Sequence, residues 1–61
     1  GLEMTDTYYV RYSWVSKTKP TEDYGTYTGI ISEYHHNIQH WWDVKCSDKR
    51  YTWTLEGINK I

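Results

Sequence analysis

The feature that most constrains the fold is the stretch of residues 38–56, where two runs of alternating apolar and polar residues flank a short polar turn. With Asp48 and Lys49 as the turn residues, every apolar residue of one run faces an apolar residue of the other. The resulting pairs are Cys46 with Tyr51, Val44 with Trp53, and Trp42 with Leu55. A register shifted by one residue would bring apolar and polar side chains together throughout. The pattern therefore predicts a β-hairpin.

Two more strands are predicted earlier in the chain. Residues 7–17 alternate between apolar and polar positions, which is typical of a strand with one buried face. One face would carry Tyr8, Val10, Tyr12 and Trp14, and the other Tyr9, Arg11 and Ser13. Residues 17–25 are polar, contain the chain's only proline and end in glycine, so they predict a loop. A second strand is predicted over residues 26–34, and residues 35–37 would turn the chain into the third.

Composition favours the same fold class. Val, Ile, Thr, Tyr and Trp, which suit a pleated and half-buried surface, make up 27 of the 61 residues. We predict an all-β domain built as a four-stranded antiparallel meander. It would either curl into a small SH3-like barrel or stay an open sheet whose apolar face pairs with another copy. The alternative for one segment is a short helical turn near residues 33–41, because Ile38, Trp41 and Trp42 recur at helical spacing.

The length of the chain fits a single small domain. Residues 1–3 precede Met4 and are typical of an expression scar, so the predicted β domain covers residues 4–61. A chain this short buries a small core, and its single cysteine, Cys46, excludes an intramolecular disulfide. Its seven Tyr and four Trp then favour an aromatic core together with self-association as a homodimer.

Charge and hydropathy bear on partners and location. Without residues 1–3 the chain has seven acidic and seven basic residues, since one of its eight acidic residues is Glu3. A nucleic-acid binder usually carries a basic excess, so nucleic acid is disfavoured as a partner. No apolar run approaches the roughly 20 residues of a membrane span, and no signal-like segment follows Met4. The prediction is a cytoplasmic protein that makes no contact with a membrane.

The histidines and the cysteine form no recognisable catalytic or metal-binding motif. His35, His36 and His40 lie close together in the chain, upstream of Cys46. Structural zinc in small folds usually takes at least two thiolates, and this chain offers one. No nucleophile, base and orienting group occur in a defensible pattern, and no glycine-rich phosphate loop precedes a helix. We therefore expect a non-enzymatic protein without a metal or cofactor.

Binding of another protein is the predicted function. The candidate contact residues, all on the polar face of the predicted sheet, are Trp41, Tyr9, Arg11, Asp43, Lys45 and Thr52. Trp, Tyr and Arg dominate interface energetics because they combine rigid area with a hydrogen-bonding group. The size and the composition, poor in Ala, Gly, Pro and Arg, favour an accessory protein of a phage or mobile element that acts as an inhibitor or adaptor.

Two other ligands fit parts of the pattern. Single-stranded nucleic acid would stack its bases on an aromatic sheet face, but Asp43, Asp48 and Glu56 share that neighbourhood and oppose phosphate binding. The Trp41-Trp42 pair leading into a hairpin resembles the same element of SH3 domains, over these residues alone, which would imply a groove for polyproline.

Overall fold

The structure is a computed structural model that describes residues 4–61, so the predicted expression scar lies outside the described residues. The strands are β1 (Asp6–Ser16), β2 (Tyr24–Glu33) and β3 (Tyr51–Lys60). Between β2 and β3 lie a 3₁₀ turn (His35–Asn37) and the helix α1 (Ile38–Cys46). The described chain is therefore mostly β, with one short helix.

The three strands form an open antiparallel sheet in the order β2-β1-β3. β1 lies in the centre and pairs with β2 without interruption, from Asp6 opposite Glu33 to Val15 opposite Tyr24. Its pairing with β3 shifts between Arg11 and Tyr12, where β3 contains one extra residue. The central position of β1 explains its clean alternation, because one of its faces is covered along most of its length.

The predicted hairpin over residues 38–56 is wrong in its first half. Residues 38–46 form α1, so the described chain has three strands and the four-stranded meander and the barrel are not found. The rings of Trp41 and Trp42 both lie near Tyr12, with centroids 6.1 and 5.6 Å away. Consecutive side chains of a strand point to opposite faces and cannot make both contacts. The open sheet is confirmed, and so is a short helix in this segment, although α1 begins and ends about five residues later than the predicted 33–41.

The first two predicted strands are confirmed. In β1, Tyr8 and Val10 are buried, whereas Tyr9 and Arg11 are exposed, as the alternation predicts. β2 begins earlier than predicted, at Tyr24, and ends at Glu33. The loop between the two strands is correspondingly shorter than predicted.

The core lies between α1 and one face of the sheet, with Tyr12 at its centre. Val10 is fully buried, and Tyr8 and Tyr12 are 5% and 6% exposed. The aromatic rings with centroids 5.2 to 6.1 Å from that of Tyr12 belong to Trp14, Tyr27, Trp41, Trp42 and Trp53. Tilted and edge-on pairs at such distances stabilise a fold by roughly 0.5–1.5 kcal/mol each beyond the area that they bury. Aromatic side chains thus make up most of the small core.

A glycine makes room for this cluster. Gly25 lies opposite Trp14 in the sheet, and a Cβ atom on Gly25 would come within 2.6 Å of the Trp14 indole ring. Gly57 in β3 differs, since a Cβ there would have no neighbouring heavy atom within 4 Å. Neither glycine has a positive φ. Of these two glycines, Gly25 is therefore the one required by packing.

The two glycines provide a matched test of the packing. We expect Gly25→Ala to lower the free energy of unfolding by about 1–3 kcal/mol, because the Trp14 ring must shift within the cluster. Gly57→Ala should be neutral or stabilising by up to about 1 kcal/mol, since it only restricts the unfolded chain. Urea unfolding at constant m-value measures both changes. Equal effects of the two substitutions would contradict this packing.

Candidate binding surfaces

The structure divides the six predicted contact residues between two surfaces. Tyr9, Arg11 and Thr52 are exposed on the sheet face that points away from α1, whereas Trp41, Asp43 and Lys45 lie on α1 itself. The prediction that all six share one face of a sheet is wrong, because a strand was assumed where the helix lies.

The three helical residues have different surroundings. Trp41 is half-buried, and its ring packs edge-on against Tyr12, so it belongs partly to the core. The ammonium of Lys45 lies 5.5 Å from the centroid of the Tyr12 ring, a cation–π geometry. Asp43 is exposed and accepts a hydrogen bond from the Gln39 amide at 3.0 Å. Trp41 and Lys45 thus help to hold the helix on the sheet.

One side of α1 borders a groove of about 480 Å³. We call it the helix groove, and its lining residues are Glu33, His40, Trp41, Val44, Lys45, Asp48 and Trp53. Val44 is 56% exposed, while the two tryptophans are half-buried. The groove therefore combines an apolar floor with charged groups of both signs.

The walls of the helix groove are held in place by hydrogen bonds. The indole N–H of Trp53 donates to the backbone carbonyl of Asp48 at 3.0 Å. The Asp48 carboxylate accepts three hydrogen bonds from Arg50, one from its backbone N–H and two from its guanidinium, at 2.7 to 3.1 Å. These bonds lower the pKa of Asp48 to about 2 and raise that of Arg50. Asp48 thereby stays ionised to a lower pH than an ordinary aspartate.

The second surface is the sheet face that points away from α1, which we call the open face. Its exposed apolar side chains form two cross-strand pairs, Tyr9 with Ile30 and Val15 with Tyr24. Their exposed fractions are 39% and 62% for the first pair and 40% and 64% for the second. Serine and threonine residues separate the two pairs along the strands.

A single ion pair lies between these apolar pairs on the open face. The guanidinium Nε of Arg11 is 2.8 Å from the carboxylate of Glu56, and the two side chains are 57% and 36% exposed. Such an exposed pair contributes at most about 1 kcal/mol to stability. Its more important effect is that it neutralises both charges at the middle of the face.

Sequence reasoning missed several residues of these surfaces. Strand alternation through residues 38–46 places Val44 and Trp53 on the buried side of a hairpin. The sequence does not decide the face of Ile30, because Ile31 follows it and either side chain fits a core. The three-residue spacing of Trp41 and Val44 was the available signal for a shared helical face.

Two of the three histidines make local contacts. His35 Nδ1 is 3.3 Å from the hydroxyl of Tyr8, and the ring of His36 stacks on Tyr34 with centroids 5.5 Å apart. Cys46 is a free, half-buried thiol. Among residues 4–61, no three His, Cys, Asp or Glu side chains are grouped closely enough to share a metal ion.

Comparison with known proteins gives no functional lead. No protein-family model, no curated protein and no solved structure matches this chain. Within the described part of the chain, no helix is long and apolar enough to cross a membrane. Function is therefore inferred from the two surfaces alone.

The pKa of Asp48 provides a test of the groove wall. Because the folded-state pKa of about 2 lies below the ordinary value of 3.8, the stabilisation by this group is complete above about pH 4 and is lost as the pH falls towards 2. In a carbon-detected NMR titration of the side-chain carboxyl, we expect a midpoint near 2 in the wild-type chain. In Arg50→Gln the midpoint should rise but stay below 3.8, because the backbone N–H of residue 50 still donates to the carboxylate.

Lys49→Gln is the matched control, because it removes a neighbouring cation whose ammonium is hydrogen-bonded to the carbonyl of Cys46 and not to Asp48. Asp48 should keep its low pKa in this variant. An ordinary midpoint in the wild-type chain, or an equal rise in both variants, would show that Arg50 does not hold the carboxylate.

Proposed function

We propose that this chain is a small, non-enzymatic protein-binding module, and that its helix groove holds a segment of a partner protein. The observation that carries the proposal is the presence of two fixed, partly exposed tryptophans, Trp41 and Trp53, beside the exposed Val44. By occupying a surface of its partner, such a module would act as an inhibitor or adaptor.

The packing of the tryptophans supports this proposal energetically. Residues that dominate binding are usually Trp, Tyr or Arg in a well-packed pocket, surrounded by contacts that exclude water. Trp41 is fixed against Tyr12, and Trp53 by its hydrogen bond to Asp48. A partner would therefore lose little entropy in ordering the groove, because its walls are held before binding.

The charges of the helix groove favour a protein segment over nucleic acid. Glu33 and Asp48 both line the groove, and the Asp48 carboxylate is already paired with Arg50. The one ammonium of the groove, that of Lys45, already lies over Tyr12. A phosphate chain needs several free cations, whereas a peptide can carry both signs of charge. The open face is no better suited to nucleic acid than the helix groove. The guanidinium of Arg11 on that face is already paired with Glu56.

Val44 is the appropriate residue for a test of this proposal. Trp41→Ala would remove a contact with Tyr12 as well as any partner contact, so loss of binding would not separate the two effects. Val44 is exposed and is not a member of the aromatic cluster around Tyr12. Glutamate is also a good helix former. Val44→Glu should therefore fold normally and place an unpaired carboxylate in the groove.

We expect a wild-type bait to capture one protein in near-stoichiometric amount from a lysate, equally with and without nuclease treatment, and a Val44→Glu bait to lose it. Ile30→Glu is the matched control, because Ile30 is an equally exposed apolar residue on the opposite surface. It should retain the captured protein.

Two results would contradict the proposal. A captured protein retained by Val44→Glu but lost by Ile30→Glu would assign binding to the open face. Capture that disappears with nuclease would support the nucleic-acid alternative instead.

A further inference from the structure

We propose that two copies of this chain pack against each other through the open face, with a two-fold axis that crosses the strands at the level of Tyr12 and Tyr27. In this arrangement the pair Tyr9 and Ile30 of one copy covers the pair Val15 and Tyr24 of the other. This inference concerns a different surface from the helix groove, so it does not depend on the proposed function.

The positions of the apolar pairs determine the direction of the axis. Tyr12 lies opposite Tyr27 in the sheet. Tyr9 and Val15 are each three residues from Tyr12, and Ile30 and Tyr24 are each three residues from Tyr27. A two-fold rotation about an axis that lies above the open face, parallel to the line from Tyr12 to Tyr27, therefore places each apolar pair over the other. An axis along the strands would instead place β2 of one copy over β3 of the other, where the exposed residues are polar.

The polar residues of the open face are also matched by this rotation. Arg11 of one copy comes to the level of Ser13 of the other, and Glu56 to the level of Thr54. Hydroxyl groups can accept from a guanidinium and donate to a carboxylate, so the charged groups gain partners when water leaves. Because Arg11 and Glu56 already neutralise each other, two copies of this face do not repel.

The small core of a single copy indicates why the face needs a cover. The buried apolar residues of this copy are Tyr8, Val10 and Tyr12 alone among those described. Packing of two sheets face to face would add a second apolar layer about 10 Å thick.

The available area fits a weak dimer. Three strands of about ten residues, at about 3.3 Å per residue and 4.8 Å between strands, make a plane of roughly 480 Å². This lies below the roughly 600 Å² per partner at the lower end of stable interfaces and in the range of weak ones. We therefore expect a dimer that forms only at high protein concentration.

Sedimentation velocity over a range of concentrations tests the proposal. The wild-type chain should pass from monomer to dimer, and Ile30→Glu should raise the dissociation constant on the order of 100-fold or more, because each copy would bury an unpaired carboxylate. Val44→Glu, which alters the helix groove, should dimerise like the wild type. A wild-type chain that stays monomeric up to about 1 mM, or an Ile30→Glu variant that dimerises normally, would overturn the proposal.

Cross-linking tests the direction of the axis with milder substitutions. Tyr24→Cys and Ile30→Cys are each introduced into a Cys46→Ser chain and treated with a short bismaleimide. A mixture of the two variants should form cross-linked dimers, whereas either variant alone should form few. Efficient cross-linking of one variant with itself would overturn the proposed axis, and no cross-linking in the mixture would overturn the interface.

Discussion

The packing of α1 over Tyr12 is the interaction on which the rest of the structure depends. Both Trp41 and Trp42 contact this one ring, which also touches rings of the sheet on either side. The helix thus covers one face of β1 and borders the helix groove beside it. It leaves the opposite face uncovered. The position of α1 on one side of the sheet therefore determines both candidate binding surfaces.

The sequence predicts the fold correctly where the apolar residues follow only one periodicity, that of a strand or that of a helix. β1 alternates cleanly because it is the central strand, and the outward assignment of Tyr9 and Arg11 follows directly from that alternation. Thr52 is assigned correctly for the same reason, since β3 begins where the second half of the hairpin was predicted.

Residues 38–46 carry two patterns at once, which is why they were assigned wrongly. Trp42, Val44 and Cys46 alternate as in a strand, while Ile38, Trp41 and Trp42 also recur as on a helix. β-branched and aromatic residues favour strands only weakly, so the contact with Tyr12, distant in sequence, decides between the two. The contacts of Trp41 and Lys45 with that ring were therefore beyond what local pattern reveals.

The most direct test of this account is an NMR measurement of nuclear Overhauser effects at the Tyr12 ring. We expect cross-peaks from the indole protons of both Trp41 and Trp42 to this ring, together with helical contacts over residues 38–46. Cross-peaks from only one of the two indoles, accompanied by cross-strand contacts between Val44 and Trp53, would restore the hairpin. The helix groove would then not exist, and the open face would be formed by different residues.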